Sequence, residues 1–582
     1  MSKTPLSSGP QPEADEPSGT EPWTPDCGDG TYRNPVLFAD YSDPDAIRVG
    51  EDFYLIGSSF NCTPGLPILH SRDLVNWTLI NHGVKNLPHL RYAEVQHGCG
   101  IWASSIRYHA KKFWIVFPLP DEGLYVITAD HPASQWTEPR LLLAGKGLID
   151  PCPLWDDDGG AYIAHAYAGS RAGTRNKLHV RPVTPDLQEI TGPGRIVAQI
   201  DENLPALEGP KFYKRNGWYY ISAPSGGVAS GWQVIFRSRD IYGPYEQRIA
   251  LAQRGTSING PHQGALLDTP GGEWWFLHFQ DAGLYGRIVH LQPVRWVDDW
   301  PLIGVNQDEE GVGKPVLRHR KPEVGKECVP SAPPTTDDFQ GPQLGLQWQW
   351  HANHDDQWYS LSERRRCLRL YPQFVPGSDF RRVANLLLQK FPARRFAMET
   401  ALEIPAGHRS VHAGLIVMGK DYAALDLSRV GDGYKLQLLT NCDAKMEYLL
   451  PGGSPVRLGV IVSSGGACQL GLPGKDGDFF QIGPEFFARP GFWIGAKIGL
   501  YCLSRDMLDM SGHADFPYFK VGNCIESARS APLELDGAPA AHHGTDGSEV
   551  PALLSGKVNR GDAMATRAGH DSLEHSARNG AA

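Results

Sequence analysis

An aromatic residue that directly follows a turn recurs along the first half of the chain. These residues are 60, 48, 58 and 55 positions apart, at Tyr54, Trp114, Tyr162, Tyr220 and Trp275. Each interval fits four short strands with their loops, so the repeat predicts a five-bladed β-propeller. The 65 Gly, 47 Pro and abundant Trp, Tyr and Phe residues suit many short strands and tight turns, and the fold class is predicted to be all-β.

The clearest unit is residues 207–227, which contain the dipeptide Asn216-Gly217. Asn-Gly between two alternating apolar runs is a strong signal for a β-hairpin. Glu208 lies just before this hairpin, in the sequence Leu-Glu-Gly-Pro. A polar residue followed by an aromatic hairpin is the plan that the other units share.

Equivalent positions of the five units carry residues suited to chemistry or ligand binding. Eleven to thirteen residues before the aromatic anchors stand Asp43, Trp102, Asp150, Glu208 and His262. If each unit is a blade, these positions lie at one end of the innermost strands around a central channel. The sequence therefore predicts one pocket that combines three carboxylates, an imidazole and an indole.

Three carboxylates in one pocket suggest hydrolysis of a glycosidic bond. One carboxylic acid protonates the departing oxygen, one carboxylate acts on the other side of the sugar, and a third can raise the pKa of the acid. Asp43 alone would be read as a turn residue, but Asp150 occupies the equivalent place two units later, and proline follows both. Phe60 and Trp102 offer flat faces for a sugar ring, and Arg287 offers a fork of donors.

In chain order, these segments resemble glycoside hydrolase family 43 over about residues 31–315. The matching segments are Asn34-Pro35, Ser42-Asp43-Pro44-Asp45, Gly100-Ile101-Trp102-Ala103-Ser104, Ile149-Asp150-Pro151, Glu208-Gly209-Pro210, Pro261-His262-Gln263-Gly264 and Gly286-Arg287. The resemblance implies a five-bladed propeller that hydrolyses β-xylosides and α-L-arabinofuranosides with inversion. For inversion, the acid and base carboxyl groups should be about 6.5–9.5 Å apart.

The resemblance also implies individual roles. Asp43 would be the general base, Glu208 the general acid and Asp150 the residue that sets the pKa of the acid. The sugar subsite would be lined by Phe60, Trp102, Ala103 and Arg287. His262 would lie near the channel, where many members hold a hydrated calcium ion, and no cofactor would be required for the reaction.

One departure leaves the sugar preference open. Many family β-xylosidases carry an acid-Gly-Gly-Thr run after the glutamate hairpin, whereas this chain has Ser225-Gly226-Gly227-Val228. The expected substrates are short xylo-oligosaccharides or arabinosylated oligosaccharides cleaved from the non-reducing end. The alternatives are a non-catalytic sugar-binding propeller and a retaining propeller glycosidase of the fructan-cleaving type.

A second domain follows a segment rich in charge, Gly and Pro. We predict a linker over 316–334 and a concanavalin-like β-sandwich over 335–525, because short alternating strands recur there. The segment Asp515-Phe516-Pro517-Tyr518-Phe519 resembles the sandwich joined to family 43 β-xylosidases. In those enzymes a sandwich loop narrows the active-site mouth, and Phe516 is our candidate for that contact with substrate.

The two ends and the overall charge complete the predictions. Residues 1–30 and 526–582 have compositions typical of disorder, and no secretory apolar run precedes the propeller, so we expect a cytoplasmic protein. The formal net charge of −10 argues against nucleic acid and anionic membranes as partners. The ten cysteines lack paired spacing and are expected to be free thiols. A homo-oligomer is left open.

Overall fold

The computed structural model describes residues 22–199, 204–377, 379–453, 455–474 and 477–523. After a short strand, β1 (Thr31–Arg33), the chain forms five four-stranded antiparallel sheets in sequence order. The first three sheets contain β2 (Asp45–Val49), β3 (Asp52–Ile56), β4 (Gly65–Ser71), β5 (Trp77–Val84); β6 (Ser105–His109), β7 (Lys112–Leu119), β8 (Gly123–Ala129), β9 (Arg140–Ala144); and β10 (Leu148–Trp155), β11 (Ala161–Tyr167), β12 (Lys177–Val183), β13 (Arg195–Gln199). The other two contain β14 (Lys211–Arg215), β15 (Trp218–Ser225), β16 (Trp232–Ser238), β17 (Glu246–Leu251); and β18 (His262–Asp268), β19 (Trp274–Asp281), β20 (Arg287–Val297), β21 (Trp300–Ile303).

The five sheets form a closed ring, as a propeller requires. Strand β18 of the last sheet contacts β2 of the first. Each neighbouring pair of sheets shares its own apolar core; Trp77 and Trp275, for example, lie in the core between the first and last sheets. Burying one face of each sheet against the next is what makes the repeated unit stable, since a single four-stranded sheet cannot cover its own apolar surface.

The aromatic anchors all lie in the second strand of their sheets. Tyr220, in β15, pairs with Tyr213 in β14, and the turn between the two strands has φ of 51° at Asn216 and 72° at Gly217. Positive φ at both central residues is the geometry that favours Asn-Gly in a two-residue hairpin. The local turn chemistry therefore explains why the repeat could be recognised in the sequence.

The segment before the first sheet is fastened to the last sheet. The Asn34 side chain donates to the carbonyls of Leu291 and Val316 and accepts from the Leu291 amide, each at 2.8 Å. Trp23 packs against Phe38, with ring centroids 5.1 Å apart. Residues 22–30 are therefore ordered against the propeller, and the prediction of disorder up to residue 30 is wrong for them; the rest of the predicted leader and the predicted tail 526–582 lie outside the described residues.

The predicted linker is not a free tether. Its first part forms β22 (Arg318–Arg320), which pairs with β1. Further on, Lys326 pairs with Glu51 at 2.6 Å, and the Ser331 amide donates to Asn76. The chain thus runs along the propeller surface to the second domain.

The second domain is a β-sandwich. Its strands are β23 (Gln349–Trp350), β24 (Tyr359–Ser360), β25 (Leu368–Leu370), β26 (Gln373–Phe374), β27 (Leu387–Lys390), β28 (Phe396–Leu402), β29 (Val411–Met418), β30 (Tyr422–Val430), β31 (Gly433–Thr440), β32 (Asp443–Leu450), β33 (Val456–Val462), β34 (Ala467–Pro473), β35 (Phe479–Gln481), β36 (Phe486–Phe487), β37 (Lys497–Ser504), β38 (Ala514–Phe516) and β39 (Phe519–Gly522). One large sheet has the order β23-β27-β37-β29-β30-β31-β32, with β26 added beside β37. It faces a second sheet of order β35-β34-β33-β28-β39, with β36 added beside β34, while β24, β25 and β38 form a third.

Helices are few and short. Within the described residues they are α1 (Gly169–Ala172) and four 3-10 turns, Leu90–Ala93, Gly283–Tyr285, Asp356–Trp358 and Phe380–Arg382. Of the helices that the structure describes, none is both long and apolar enough to cross a membrane.

The sandwich packs directly on the propeller. Phe38 and Tyr285 of the propeller belong to the same apolar cluster as the sandwich core. The Asn61 side chain donates to the His351 carbonyl at 2.7 Å, and the Gly495 amide donates to the Asp40 carboxylate at 2.9 Å. The second domain is therefore placed against the loops at the ends of the innermost propeller strands.

Candidate active site

The predicted site positions lie at the starts of the innermost strands. Asp43 and Glu208 directly precede β2 and β14, Asp150 lies in β10, and His262 is the first residue of β18. Asp43 and Asp150 both have positive φ, 54° and 56°. Such a backbone is costly for a residue with a side chain and tends to be kept where it aims a functional group.

Asp43 is buried and held by three donors. Its Oδ1 accepts from Arg287 Nη1 at 2.6 Å, and its Oδ2 accepts from the hydroxyls of Ser42 at 2.9 Å and Ser58 at 2.6 Å. Charge-assisted hydrogen bonds of this length fix the orientation of a carboxylate. Both oxygens are thereby locked in one direction.

A second carboxylate, that of Asp40, holds the backbone of Arg287. Asp40 Oδ1 accepts from the Arg287 backbone amide at 2.9 Å. The preceding Gly286 has φ of 76°, and a Cβ added there would lie 2.4 Å from the Asp40 Cγ. Glycine is therefore required before Arg287, since any larger residue would push Asp40 away.

Asp150 and Glu208 form the second acidic group. Asp150 is 4% exposed and accepts from the Gly209 amide at 2.8 Å, whereas the Glu208 side chain is 38% exposed. Burial, followed by repulsion from the Glu208 carboxylate, raises the pKa of Asp150 to about 8. Asp150 thus holds a proton at neutral pH, and Glu208 is the solvent-facing residue of the two.

Gly209 allows these two acids to approach each other. Its φ is 63°, and a Cβ would lie 2.9 Å from the side-chain carbonyl carbon of Gln263. Gln263 belongs to a β-bulge at the start of β18, where the register shifts between His262 and Gly264. The Glu-Gly-Pro sequence thereby lets one backbone amide reach Asp150 while the Glu208 side chain points away.

Three predicted sugar-contact residues lie where the first and second sheets meet. They are Phe60, Trp102 and Ala103. The rings of Phe60 and Trp102 are 6.3 Å apart, and Ala103 is 3% exposed. The Arg171 guanidinium lies 4.7 Å from the Trp102 ring centroid, and the Trp102 indole donates to the Gly98 carbonyl. Trp102 is held rigidly by these contacts and remains partly exposed.

The sandwich reaches the site through a different residue from the one predicted. Phe516 is completely buried in the sandwich core, where it pairs with Leu368, so the prediction that it contacts substrate is wrong. Alternation in β38 turns its side chain inward. The sandwich residue that reaches the site is Trp493, which is 54% exposed and whose ring centroid lies 5.8 Å from the Arg287 guanidinium.

Trp493 belongs to a loop that meets a propeller loop. The neighbouring Phe492 ring is 5.3 Å from that of His97, and Gly98 lies against Trp493. The sequence signal for this loop was an aromatic pair inside a run of Pro and Gly, Arg489-Pro490-Gly491-Phe492-Trp493-Ile494-Gly495. Exposed adjacent aromatics in such a run are typical of a binding loop.

His262 could supply at most one contact in the coordination shell of a hydrated ion. Its ring is buried with both nitrogens unpartnered, and Nε2 is 3.5 Å from Glu208 Oε1. Calcium takes six to eight oxygen ligands. Among the residues that the structure describes, no group of three His, Cys, Asp or Glu side chains converges on an ion, so water would have to supply the other ligands.

The arrangement can carry out acid and base chemistry on a sugar. Arg287 touches Asp43, and the charges of Asp43 and Glu208 both act on Asp150, so the three acids surround one opening. Aromatic faces from Trp102 and Trp493 flank it. A closed propeller that gathers carboxylates and aromatic rings in this way is the architecture of a propeller glycosidase.

Comparison with known proteins identifies the family. The profile of glycosyl hydrolases family 43 matches residues 32–301, and that of the beta-xylosidase C-terminal concanavalin A-like domain matches 336–522. A beta-xylosidase of Formosa agariphila is 35% identical over 557 residues, covering 85% of this chain and 90% of its own. The chain belongs to glycosyl hydrolase family 43 and is a glycosidase.

Two further relatives differ in activity and in coverage. A non-reducing end alpha-L-arabinofuranosidase of Bacteroides ovatus is 30% identical over 369 residues, which are 58% of this chain and 65% of that protein. The crystal structure of a mutant of the family 43 protein BlXynB from Bacillus licheniformis superposes with a TM-score of 0.75 at 26% identity, covering 85% of this chain and all of that one. The superposition includes both domains, so the propeller and sandwich form a shared architecture.

Proposed function

We propose that this protein is an inverting exo-glycosidase that releases xylose, and to a lesser extent arabinose, from the non-reducing ends of short oligosaccharides. The observation that carries the proposal is the convergence of a rigidly held Asp43 with the protonated Asp150–Glu208 pair. Inverting hydrolysis needs one base and one acid on opposite sides of the anomeric carbon. These two acidic groups fill those roles.

Asp43 is the general base. A water molecule between its carboxylate and the anomeric carbon gives up a proton to Asp43 as its oxygen attacks. Arg287, Ser42 and Ser58 keep the carboxylate aimed at that water, because their three hydrogen bonds leave it no freedom to rotate. The step consumes only water and sugar.

Glu208 is the general acid, and Asp150 is the residue that sets its proton supply. Burial and the Glu208 carboxylate raise the pKa of Asp150 to about 8, so Asp150 stays protonated at neutral pH. Glu208 is the more exposed of the two, and in its protonated form it gives its own proton to the leaving oxygen. The departing sugar or aglycone can reach Glu208 from solvent.

The sugar is held by residues from both domains. Phe60, Trp102, Ala103 and Arg287 line the subsite for the terminal sugar, and Trp493 covers the mouth. Because this cover comes from a second domain, long polysaccharide chains have little room to pass through the site. Short substrates bound by one end fit the site best.

The preference between sugars is the finer part of the proposal. The relatives named above include a beta-xylosidase matched over most of this chain and an arabinofuranosidase matched over about half of it. The greater coverage favours β-xylosides as the main substrates. Val228 stands where many family β-xylosidases carry a threonine, and the loss of that hydroxyl lowers the difference in kcat/KM between the two sugars.

Three variants test the roles. Glu208→Gln should lose turnover of xylobiose, whose leaving group needs protonation, by about 10²–10⁴-fold, and should keep more activity on an aryl xyloside with an acidic phenol. Asp43→Asn should lose both activities, since both need the attacking water. Glu246→Gln, at an exposed carboxylate, is the matched control.

Proton NMR of the first product settles inversion, since β-xylosides should give the α-anomer first. Equal loss of both substrates in Glu208→Gln would contradict its role as general acid. First appearance of the β-anomer would contradict inversion and favour the retaining alternative. Full activity in Asp43→Asn would contradict the whole assignment.

A further inference from the structure

Two lysines face each other at the seam between the domains without a carboxylate partner. Lys390 in β27 and Lys497 in β37 are direct cross-strand neighbours. Lys497 is 4% exposed, and neither ammonium group has an Asp or Glu oxygen within 4.0 Å in the described part of the chain. Like charges directly opposite in a sheet are destabilising, and buried charges are normally paired.

Their hydrogen bonds are to neutral groups. Both ammonium groups donate to Gln349 Oε1, Lys390 at 2.8 Å and Lys497 at 3.4 Å, which places them within about 6 Å of each other. Lys497 also lies 3.1 Å from the Cys62 sulfur, and Lys390 lies 5.4 Å from the Tyr41 ring centroid. These contacts leave two like charges close together and only partly solvated.

A cleft opens beside them. It has a volume of about 60 Å³ and is lined by Lys390, His82 and Gln389, with apolar walls from Trp23, Phe38 and Pro67 among others. His82 Nδ1 and Gln389 Nε2 are buried and have no hydrogen-bond partner. A volume of this size is enough for a small ligand.

The electrostatics of the cleft favour negative charge. Burial and the neighbouring Lys497 lower the pKa of Lys390 to about 8, and burial together with both lysines lowers the pKa of His82 to about 3. The nearest acid, Asp40, is already committed to the amides of Arg287 and Gly495. Asp40 therefore offsets the charge of Lys390 only in part, and no carboxylate of the described chain forms an ion pair with either lysine.

We propose that this cleft is an anion-binding site, which takes one small monovalent anion, a halide or a short carboxylate, beside the Lys390 ammonium group. The bound anion offsets the positive charge of Lys390 and of its cross-strand neighbour Lys497, and the neutral His82 ring and the Gln389 amide supply further polar contacts. Because the cleft lies between β5 of the propeller and β27 of the sandwich, the anion stabilises the seam between the domains.

The test measures thermal unfolding of the full-length protein in sodium chloride, sodium acetate and sodium gluconate at equal ionic strength. Gluconate is too large for the cleft and serves as the reference. Chloride, acetate or both should raise the Tm of the wild type by about 2–4 °C over gluconate, as expected when a ligand binds only the native state. Whichever salt is effective identifies the anion as a halide or as a carboxylate.

Lys390→Met should abolish the difference between salts. In gluconate this variant should be at least as stable as the wild type, because it removes one of two like charges that face each other across the sheet. Lys112→Met, at an exposed lysine of the propeller, is the matched control and should respond to salts as the wild type does.

A second readout needs no variant. Crystals of the wild type soaked in sodium bromide should show an anomalous peak within hydrogen-bonding distance of the Lys390 ammonium if the anion is a halide. If the anion is a carboxylate, ordinary difference density for acetate should appear at that position after an acetate soak. Equal salt responses in the wild type and Lys390→Met, or soaked crystals with neither anion in the cleft, would overturn the proposal.

Discussion

Asp150→Asn should make the protein more stable at neutral pH while it impairs the site. The native pKa of Asp150 is about 8, against 3.8 for the unfolded chain. A raised native pKa means that the native state keeps a proton that the unfolded chain releases, so this group's contribution to stability falls as the pH rises from about 4 to about 8. At 1.36 kcal/mol per pH unit, the cost to the native state reaches about 4 kcal/mol at pH 7.

Asparagine resembles the protonated acid and its amide oxygen can still accept from the Gly209 amide. The variant therefore lacks the pH-dependent cost. The gain in the free energy of unfolding over the wild type should be close to zero at pH 4 and should grow to at most about 4 kcal/mol at pH 7. Catalytic activity should fall, since the site loses the carboxyl group of Asp150 beside Glu208.

Urea unfolding followed by tryptophan fluorescence, repeated at each pH unit from 4 to 8, measures the gain. Asp130→Asn, at a carboxylate whose side chain is 86% exposed, is the control and should show no such trend. A difference between Asp150→Asn and the wild type that does not change with pH would refute the reasoning. So would a variant that is less stable than the wild type at pH 7.

Four more substitutions test the geometry around the site. Gly286→Ala should lower kcat/KM at least about tenfold, because the new Cβ displaces Asp40 from the Arg287 amide; kinetics with an unchanged KM and kcat would contradict this. Trp493→Ala should raise KM for xylobiose with little change in Tm, because its side chain is exposed. Phe516→Ala, in the sandwich core, should lower the free energy of unfolding by about 3–5 kcal/mol without a selective effect on KM. The reverse pattern would restore Phe516 as the substrate contact. Arg287→Lys should keep the fold but lower kcat about 10–100-fold, since a shorter ammonium side chain cannot hold a donor where the rigid guanidinium places Nη1, which donates to both Asp43 and Ser42. Circular dichroism and kinetics together check both parts, and unchanged kcat would contradict the positioning role.

Much of the propeller was readable from the sequence because its signals are local. A turn such as Asn216-Gly217 has one strongly preferred geometry, and the strand that follows it carries the aromatic anchor. The repeat then placed Asp43, Asp150 and Glu208 at equivalent ends of inner strands, which is where the structure has them. Their roles in catalysis remain predictions.

The contacts made between the domains were not readable in this way. Trp493 reaches Arg287 across more than 200 residues of sequence, and only the docking of the sandwich brings them together. Alternation within β38 indicates an inward Phe516, which the motif resemblance alone does not show. The aromatic pair Phe492-Trp493 in a Pro- and Gly-rich run indicates a binding loop, but no local feature indicates that this loop lies over the propeller opening.

Asp40 shows how the two domains depend on each other. One of its oxygens accepts from the Arg287 amide, and the other accepts from the Gly495 amide in the loop that carries Trp493. A single buried carboxylate thus fixes both the residue that holds Asp43 and the loop that covers the mouth. Because Asp40 lies three residues before Asp43, movement of the sandwich relative to the propeller would be transmitted to Asp43 as well as to the Trp493 loop. Separating the sandwich from the propeller would therefore disturb the surroundings of Asp43 as much as the position of Trp493.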